Sequence, residues 1–156
     1  MKAIRIAMAV ATGAVLATAP LSAQDDYETT RIAEGVYQFR WVGHNGMFVT
    51  TDAGVVAFDP INVEAARAFA SEIQRIAPGS PLVSIVYSHS DADHSTGANV
   101  LMDAMGQQGV PIIAHENASA PIRARGSSDQ PEPTVTFKDK LSFEVGGRWI
   151  ELYYLG

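Results

Sequence analysis

Ser88-His89-Ser90-Asp91-Ala92-Asp93-His94-Ser95-Thr96-Gly97 is the stretch on which the reading of this chain turns. Two imidazoles and two carboxylates fall within six residues, directly after the apolar run Leu82-Val83-Ser84-Ile85-Val86-Tyr87. The length and β-branched content of that run predict a buried strand. The residues that follow, 98–105, are helix formers with apolar Val100, Leu101, Ala104 and Met105, and predict a helix. The cluster therefore occupies a tight strand-to-helix loop at the carboxyl end of a strand, where open α/β sheets place their ligand sites. Neutral imidazole and ionised carboxylate are donors that zinc accepts. The loop reads as a metal site offering His89, Asp91, Asp93 and His94. The plainer reading has Asp91 or Asp93 capping the next helix, but a cap uses one carboxylate and leaves the other groups unexplained.

These residues resemble the signature of the metallo-β-lactamase superfamily, His-x-His-x-Asp-His between a strand and a helix, usually followed by a glycine. The frame here is His89-Ser90-Asp91-Ala92-Asp93-His94, with Gly97 following. The resemblance implies an α/β fold, the αββα sandwich of that family, with a mixed sheet carrying helices on one face. It implies a metal-dependent hydrolase with one or two zinc ions, acting on an ester, amide or related bond of a small molecule through a metal-activated water. His89 would serve the first metal, and Asp93 with His94 the second, Asp93 also orienting the attacking water. Asp91 stands where the family has its second histidine; a carboxylate can bind zinc at a similar distance.

The resemblance covers residues 31–156 but only the first half of such a domain, because the family's later histidines and bridging carboxylate have no counterpart. This predicts a fragment or a shortened relative, inactive by itself and weak in zinc binding. It also predicts that one apolar face of the sheet lacks its cover. The rival function is a non-catalytic or vestigial metal-binding domain. Among superfamily substrates, β-lactam amides, thioesters, sulfate esters, phosphodiesters and lactones all fit.

Composition agrees with one globular domain: 156 residues, 47% hydrophobic and 18% charged, without repeats. The chain has no cysteine, which excludes disulfides, thiolate metal sites and a cysteine nucleophile. Residues 1–23 read as a cleaved signal peptide: Lys2 and Arg5 open it, an uncharged alanine-rich core follows, and Ala23 ends it before Gln24-Asp25-Asp26. Cleavage implies export, to a bacterial periplasm, with no membrane anchor left behind. Losing Lys2 and Arg5 takes the formal charge from −6 to −8, which argues against nucleic-acid phosphate as a partner.

Residues 24–30 read as a polar link and 32–42 as a strand rich in aromatic and β-branched residues. His44-Asn45-Gly46 predicts a hairpin turn, with residues 47–51 as the return strand. His44 there is either solvated or beside the substrate. Residues 55–58 form a third strand that stops at Asp59-Pro60. Asp59 is a turn former on local chemistry; the resemblance makes it a residue that orients the metal loop by hydrogen bonds. Residues 62–77 predict a helix capped by Asn62, with Ala66, Phe69, Ala70, Ile73 and Ile76 on its buried face. Another short strand, 110–114, ends beside His115, which reads as structural or supporting rather than as a ligand. Residues 119–133 read as a loop near the site mouth. Strands at 134–137, 141–145 and 149–155 follow, the last two joined by a Gly146-Gly147 turn.

Overall fold

The structure, a computed structural model, describes residues 27–156; the expected signal peptide lies outside them. Nine strands and four helices alternate along the described residues: β1 (Tyr27–Ala33), β2 (Val36–Trp41), β3 (His44–Thr51), β4 (Gly54–Phe58), α1 (Val63–Ile76), β5 (Leu82–Val86), α2 (Ala92–Ser95), α3 (Ala98–Ala104), β6 (Ile112–His115), α4 (Glu116–Arg125), β7 (Val135–Phe137), β8 (Lys140–Val145) and β9 (Arg148–Tyr153). β1 to β7 form one sheet in sequence order, with β8 and β9 as a separate two-stranded unit. β1 to β4 pair antiparallel, and β4 to β7 pair parallel. The sheet is thus mixed, and the motif loop leaves the carboxyl end of β5, within the parallel half.

Side-chain alternation sorts the sheet into two faces. Val55, Ala57, Ile85, Ile112 and Ala114 point to one side, where they meet Phe69 and Ile73 of α1, Leu101 of α3 and Ile122 of α4. Val56, Val86 and Ile113 point to the other, against Val145 and Ile150 of the β8–β9 hairpin. The expectation of an uncovered sheet face therefore needs correction. The hairpin lies over it, and the exposed aromatic surface moves outward to Trp149, 69% accessible, and Tyr153.

α1 follows its sequence signals closely. The Asn62 side chain accepts from the Ala65 N–H at 2.9 Å, closing the first turn. One turn from its end, the Arg75 guanidinium donates to both oxygens of Glu72, at 2.9 and 2.7 Å. That bidentate bond holds the Glu72 carboxyl below its ordinary 4.5.

Three expected boundaries shift, each for a physical reason. The polar link 24–30 gives way to strand from Tyr27 onward, because Tyr27 stacks on Trp41 across the β1–β2 pair at 6.0 Å and 7°. The single strand expected over 32–42 is broken by a turn at Glu34-Gly35. The hairpin turn expected at His44-Asn45-Gly46 lies at Val42-Gly43 instead, with Trp41 and His44 paired and Asn45-Gly46 inside β3. Gly46 serves a close approach rather than a turn. A Cβ there would lie 2.6 Å from the Asp59 carbonyl oxygen and 3.0 Å from that of Phe58.

The loop expected over 119–133 is also helical in its first part. The His115 ring caps α4, its Nδ1 accepting from the Asn117 N–H at 3.2 Å. Ala118 and Ile122, four apart, are its buried residues, and Gly126 ends it in the left-handed region. Pro121 inside the helix is what made the segment read as broken.

Gly46→Ala should therefore cost about 1–3 kcal/mol, the range for a forced overpacking, in urea unfolding. For Glu72 the sign of the linkage is set by a lowered carboxyl pKa. Its stabilisation is complete above 4.5 and is lost as pH falls through the lower folded value. Glu72→Gln should flatten the acid limb of the stability–pH curve below 4.5 and lower the plateau above it, as read by thermal unfolding at a series of pH values.

Candidate metal centre

The parallel strands β4 and β5 end side by side, and the backbone leaving them is strained. Asp59 and Ile61 both take left-handed conformations, φ 49° and 64°, on either side of Pro60. For non-glycine residues such conformations cost on the order of 1–3 kcal/mol each and cluster at functional sites. Here the kink turns Asp59 toward the start of the motif loop. Its N–H donates to the Val86 carbonyl at 3.0 Å. Its carboxylate accepts from the Ser88 N–H at 2.8 Å and from the Ser88 hydroxyl at 2.6 Å. Asp59 is only 8% accessible. Burial pushes its carboxyl up from 3.8, and the two Ser88 bonds pull against that rise.

The Ser88 hydroxyl also lies 2.7 Å from His89 Nδ1. A hydroxyl has one proton, and the carboxylate is the stronger acceptor for it. Nδ1 of His89 is therefore the protonated nitrogen, donating to Ser88, which leaves the Nε2 lone pair free. That lone pair faces Asp91 Oδ2 at 3.8 Å.

The four histidines and aspartates named from the sequence do not form one compact quartet. Three of them, His89, Asp93 and His94, enter two overlapping groups with donor atoms within 4.8 Å of one another: Asp59, His89 and His94 in one, His44, Asp93 and His94 in the other. The His89 and His94 rings are 4.4 Å apart between centroids, and His44 meets His94 edge-on at 5.5 Å. His94 Nδ1 is 3.7 Å from Asp59 Oδ2, and His44 Nδ1 is 3.6 Å from Asp93 Oδ2. Asp91 belongs to neither group. It sits at the N-cap position of α2, but its side chain makes no capping bond. The carboxylate, 67% exposed, points instead between His89 and Arg125, whose guanidinium is 4.0 Å away.

His94 Nδ1 is buried and has no hydrogen-bond partner. An imidazole nitrogen so placed, 3.7 Å from a carboxylate, is a buried polar atom that calls for a partner. Donor pairs 3.6–3.8 Å apart are too far for a hydrogen bond. They are near the ligand-to-ligand spacing of an ion whose bonds run about 2.0–2.2 Å. The donor set, imidazole with carboxylate, fits a divalent ion of borderline softness. The residues present fit a metal.

The loop is braced by residues that the sequence did not single out. Gln130, 2% accessible, donates to the Ser90 carbonyl at 2.9 Å and bonds the Ser95 hydroxyl. Arg125 donates to the same carbonyl and, at 3.1 Å, to Gln130 Oε1. Thr96 donates to the Ile61 carbonyl at 3.1 Å, and Ile61 pairs with Ser95 in an isolated bridge. Gly97, at φ 94°, closes the motif where a Cβ would meet the Asn62 carbonyl oxygen at 2.5 Å. His115 lies apart from both groups, stacked on Tyr154 at 3.7 Å. Beside His89 a cleft of about 480 Å³ opens, lined by Phe58, Val86, Tyr87, Phe137, Leu152 and Tyr154 among others.

No protein-family model matches this sequence. A curated relative, the alpha subunit of 2,4-dinitroanisole O-demethylase from Nocardioides sp., is 30% identical over 138 residues, covering 84% of this chain and 40% of its own length. A linear primary-alkylsulfatase from a Pseudomonas species is 31% identical over 74 residues, covering 46% of this chain and 11% of its own. Among solved structures, a metallo-β-lactamase from Pontibacter korlensis superposes with TM-score 0.63 at 27% identity, covering 82% of this chain and 60% of that one. The chain thus spans less than two thirds of the relatives it matches. Its α/β architecture, a mixed sheet with helices, is shared over that span. Over the part that it spans, the chain has the metallo-β-lactamase fold.

Proposed function

We propose that this protein is an exported, zinc-dependent hydrolase of a small molecule, with His89, Asp93 and His94 as metal-binding residues of its loop and Asp91, outside both donor groups but 3.8 Å from His89 Nε2, as a further donor. The observation that carries the reading is the buried, unpartnered Nδ1 of His94, set among carboxylate and imidazole donors at ligand spacing. A bound divalent ion would supply Lewis acidity and bring the pKa of a water to about 7. The chain's own residues do the rest. Asp59, through Ser88, keeps His89 in the tautomer whose Nε2 is free. Asp93 orients the attacking water by accepting its hydrogen bond. The cleft beside His89 takes the apolar part of the substrate against Phe58, Val86 and Leu152 and keeps bulk water from that side. Esters with an alkyl or aryl group to place against those walls, sulfate esters included, suit the cleft better than a substrate without an apolar part. That the curated relatives named above act on an aryl ether and on alkyl sulfates supports an apolar group. Among the described residues no helix is long and apolar enough to cross a membrane, and the charged start and alanine-rich core of residues 1–23 support export.

The purified protein should take up zinc, and His94→Ala should weaken that uptake by about 100-fold or more, the upper end for disturbed metal sites. Hydrolysis of a p-nitrophenyl ester, an alkyl sulfate and a chromogenic β-lactam, measured before and after chelation, tests the reaction. Turnover that survives complete metal removal would rule out the metal-dependent reading, and zinc uptake without any turnover would favour a binding role. For export, intact mass of the periplasmic protein should place the mature start near Gln24; a retained Met1 would contradict it.

A further inference from the structure

We infer that His44, a residue of the first hairpin rather than of the motif, is a metal ligand, completing with Asp93 and His94 a two-imidazole, one-carboxylate site for a divalent cation. The inference rests on the proposal that the motif loop binds metal, and adds a donor that the loop does not contain.

The fold delivers His44 to that position. β3 and β4 are antiparallel with Met47 opposite Phe58, so His44 lies three residues past the end of β4, level with the kink at Asp59 to Ile61. His44 shares the helix-side face of β3 with Phe48, which is buried in the core beneath α1. α2, which carries Asp93 and His94, packs directly on β3. Gly46 permits the close approach, because any side chain there would meet the Asp59 carbonyl. The preceding turn places Val42, a β-branched residue, at φ 52°, a strained conformation two residues before His44.

The contacts exclude the ordinary role of a turn histidine. His44 is partly covered, and its Nδ1 faces Asp93 Oδ2 at 3.6 Å, beyond hydrogen-bond length. Its ring stands at 74° to that of His94, so one imidazole meets the other edge-on rather than stacking on it. With Asp93 the three donor atoms fall within 4.8 Å. Two neutral imidazoles and a carboxylate form a donor set suited to Zn²⁺, Co²⁺ or Fe²⁺, and three protein ligands leave a position open for water or substrate.

The test uses Zn²⁺ and Co²⁺ on the whole protein, with a chromophoric chelator as competitor. His44→Gln should raise the Kd for Zn²⁺ by about tenfold to 100-fold or more. It should also shift and weaken the visible Co²⁺ absorption, as expected when a nitrogen donor leaves the ion. The metal-free Tm should stay that of the parent, since His44 makes no hydrogen bond whose loss would matter to folding. His44→Asp, which keeps a donor at the position, should recover most of the affinity. An unchanged Kd in His44→Gln, while His94→Gln loses the ion, would overturn this inference and leave the motif-loop reading intact. A raised Kd with an unchanged Co²⁺ spectrum would also overturn it, making His44 a positioning residue for Asp93. No uptake of either ion by the parent protein would overturn both readings.

Discussion

The bond between Asp59 and Ser88 is the constraint on which the site depends. A nearly buried carboxylate at the end of β4 accepts two hydrogen bonds from the residue that opens the motif after β5. Burial makes an ionised carboxylate costly, and the two bonds offset part of that cost. Breaking either would leave a buried acceptor short of a partner, at about 1–3 kcal/mol. The geometry is therefore self-enforcing: the left-handed kink at Asp59 is tolerated because the carboxylate must reach Ser88. Once it does, Ser88 has a single lone-pair side left to offer His89. The tautomer of the first motif histidine follows from a proton count that begins at the neighbouring strand.

The same logic explains which parts of the fold were legible in the sequence. The buried strands ending at Phe58 and Val86 are continuous apolar runs, and the helix between them carries a cap, a stripe and a stop. Such signals are local, and local chemistry decides them. The motif was legible for a related reason, since no structural role needs that many imidazoles and carboxylates together in one short loop. Asp59 was harder, because an Asp-Pro pair reads as a turn until the partner across the sheet is known.

What the sequence concealed was set by contacts distant along the chain. Asn45-Gly46 carries a strong turn signal, yet Gly46 is spent on clearance beneath the Asp59 carbonyl, thirteen residues away. That displacement of the turn by two residues places His44 in β3, partly covered and facing Asp93. Tyr27 looked like linker until Trp41 lay opposite it. Gln130 has no local signature at all. Its importance arises because α4 and the segment after it return over the motif loop and bury its amide against Ser90 and Ser95.

α4 also bears on the departure of this motif from its family pattern. Exchanging an imidazole for Asp91 adds a negative charge to a loop that already carries Asp93 and lies over Asp59. Uncompensated, those like charges would repel and splay the loop. Arg125, in the last turn of α4, stands 4.0 Å from Asp91 and also bonds the Ser90 carbonyl. The exposed pair contributes little to global stability, under about 1 kcal/mol by the usual measure of surface ion pairs. Its effect on local charge does not depend on that energy. A guanidinium beside the extra carboxylate restores the net charge that a neutral histidine would have left, while the second Asp91 oxygen still faces His89 Nε2 at 3.8 Å. Asp91 is thus paired with a residue more than thirty positions away, on a helix whose proline made it read as a loop. A change in the motif that looks like damage in sequence is, in three dimensions, one half of a charge pair.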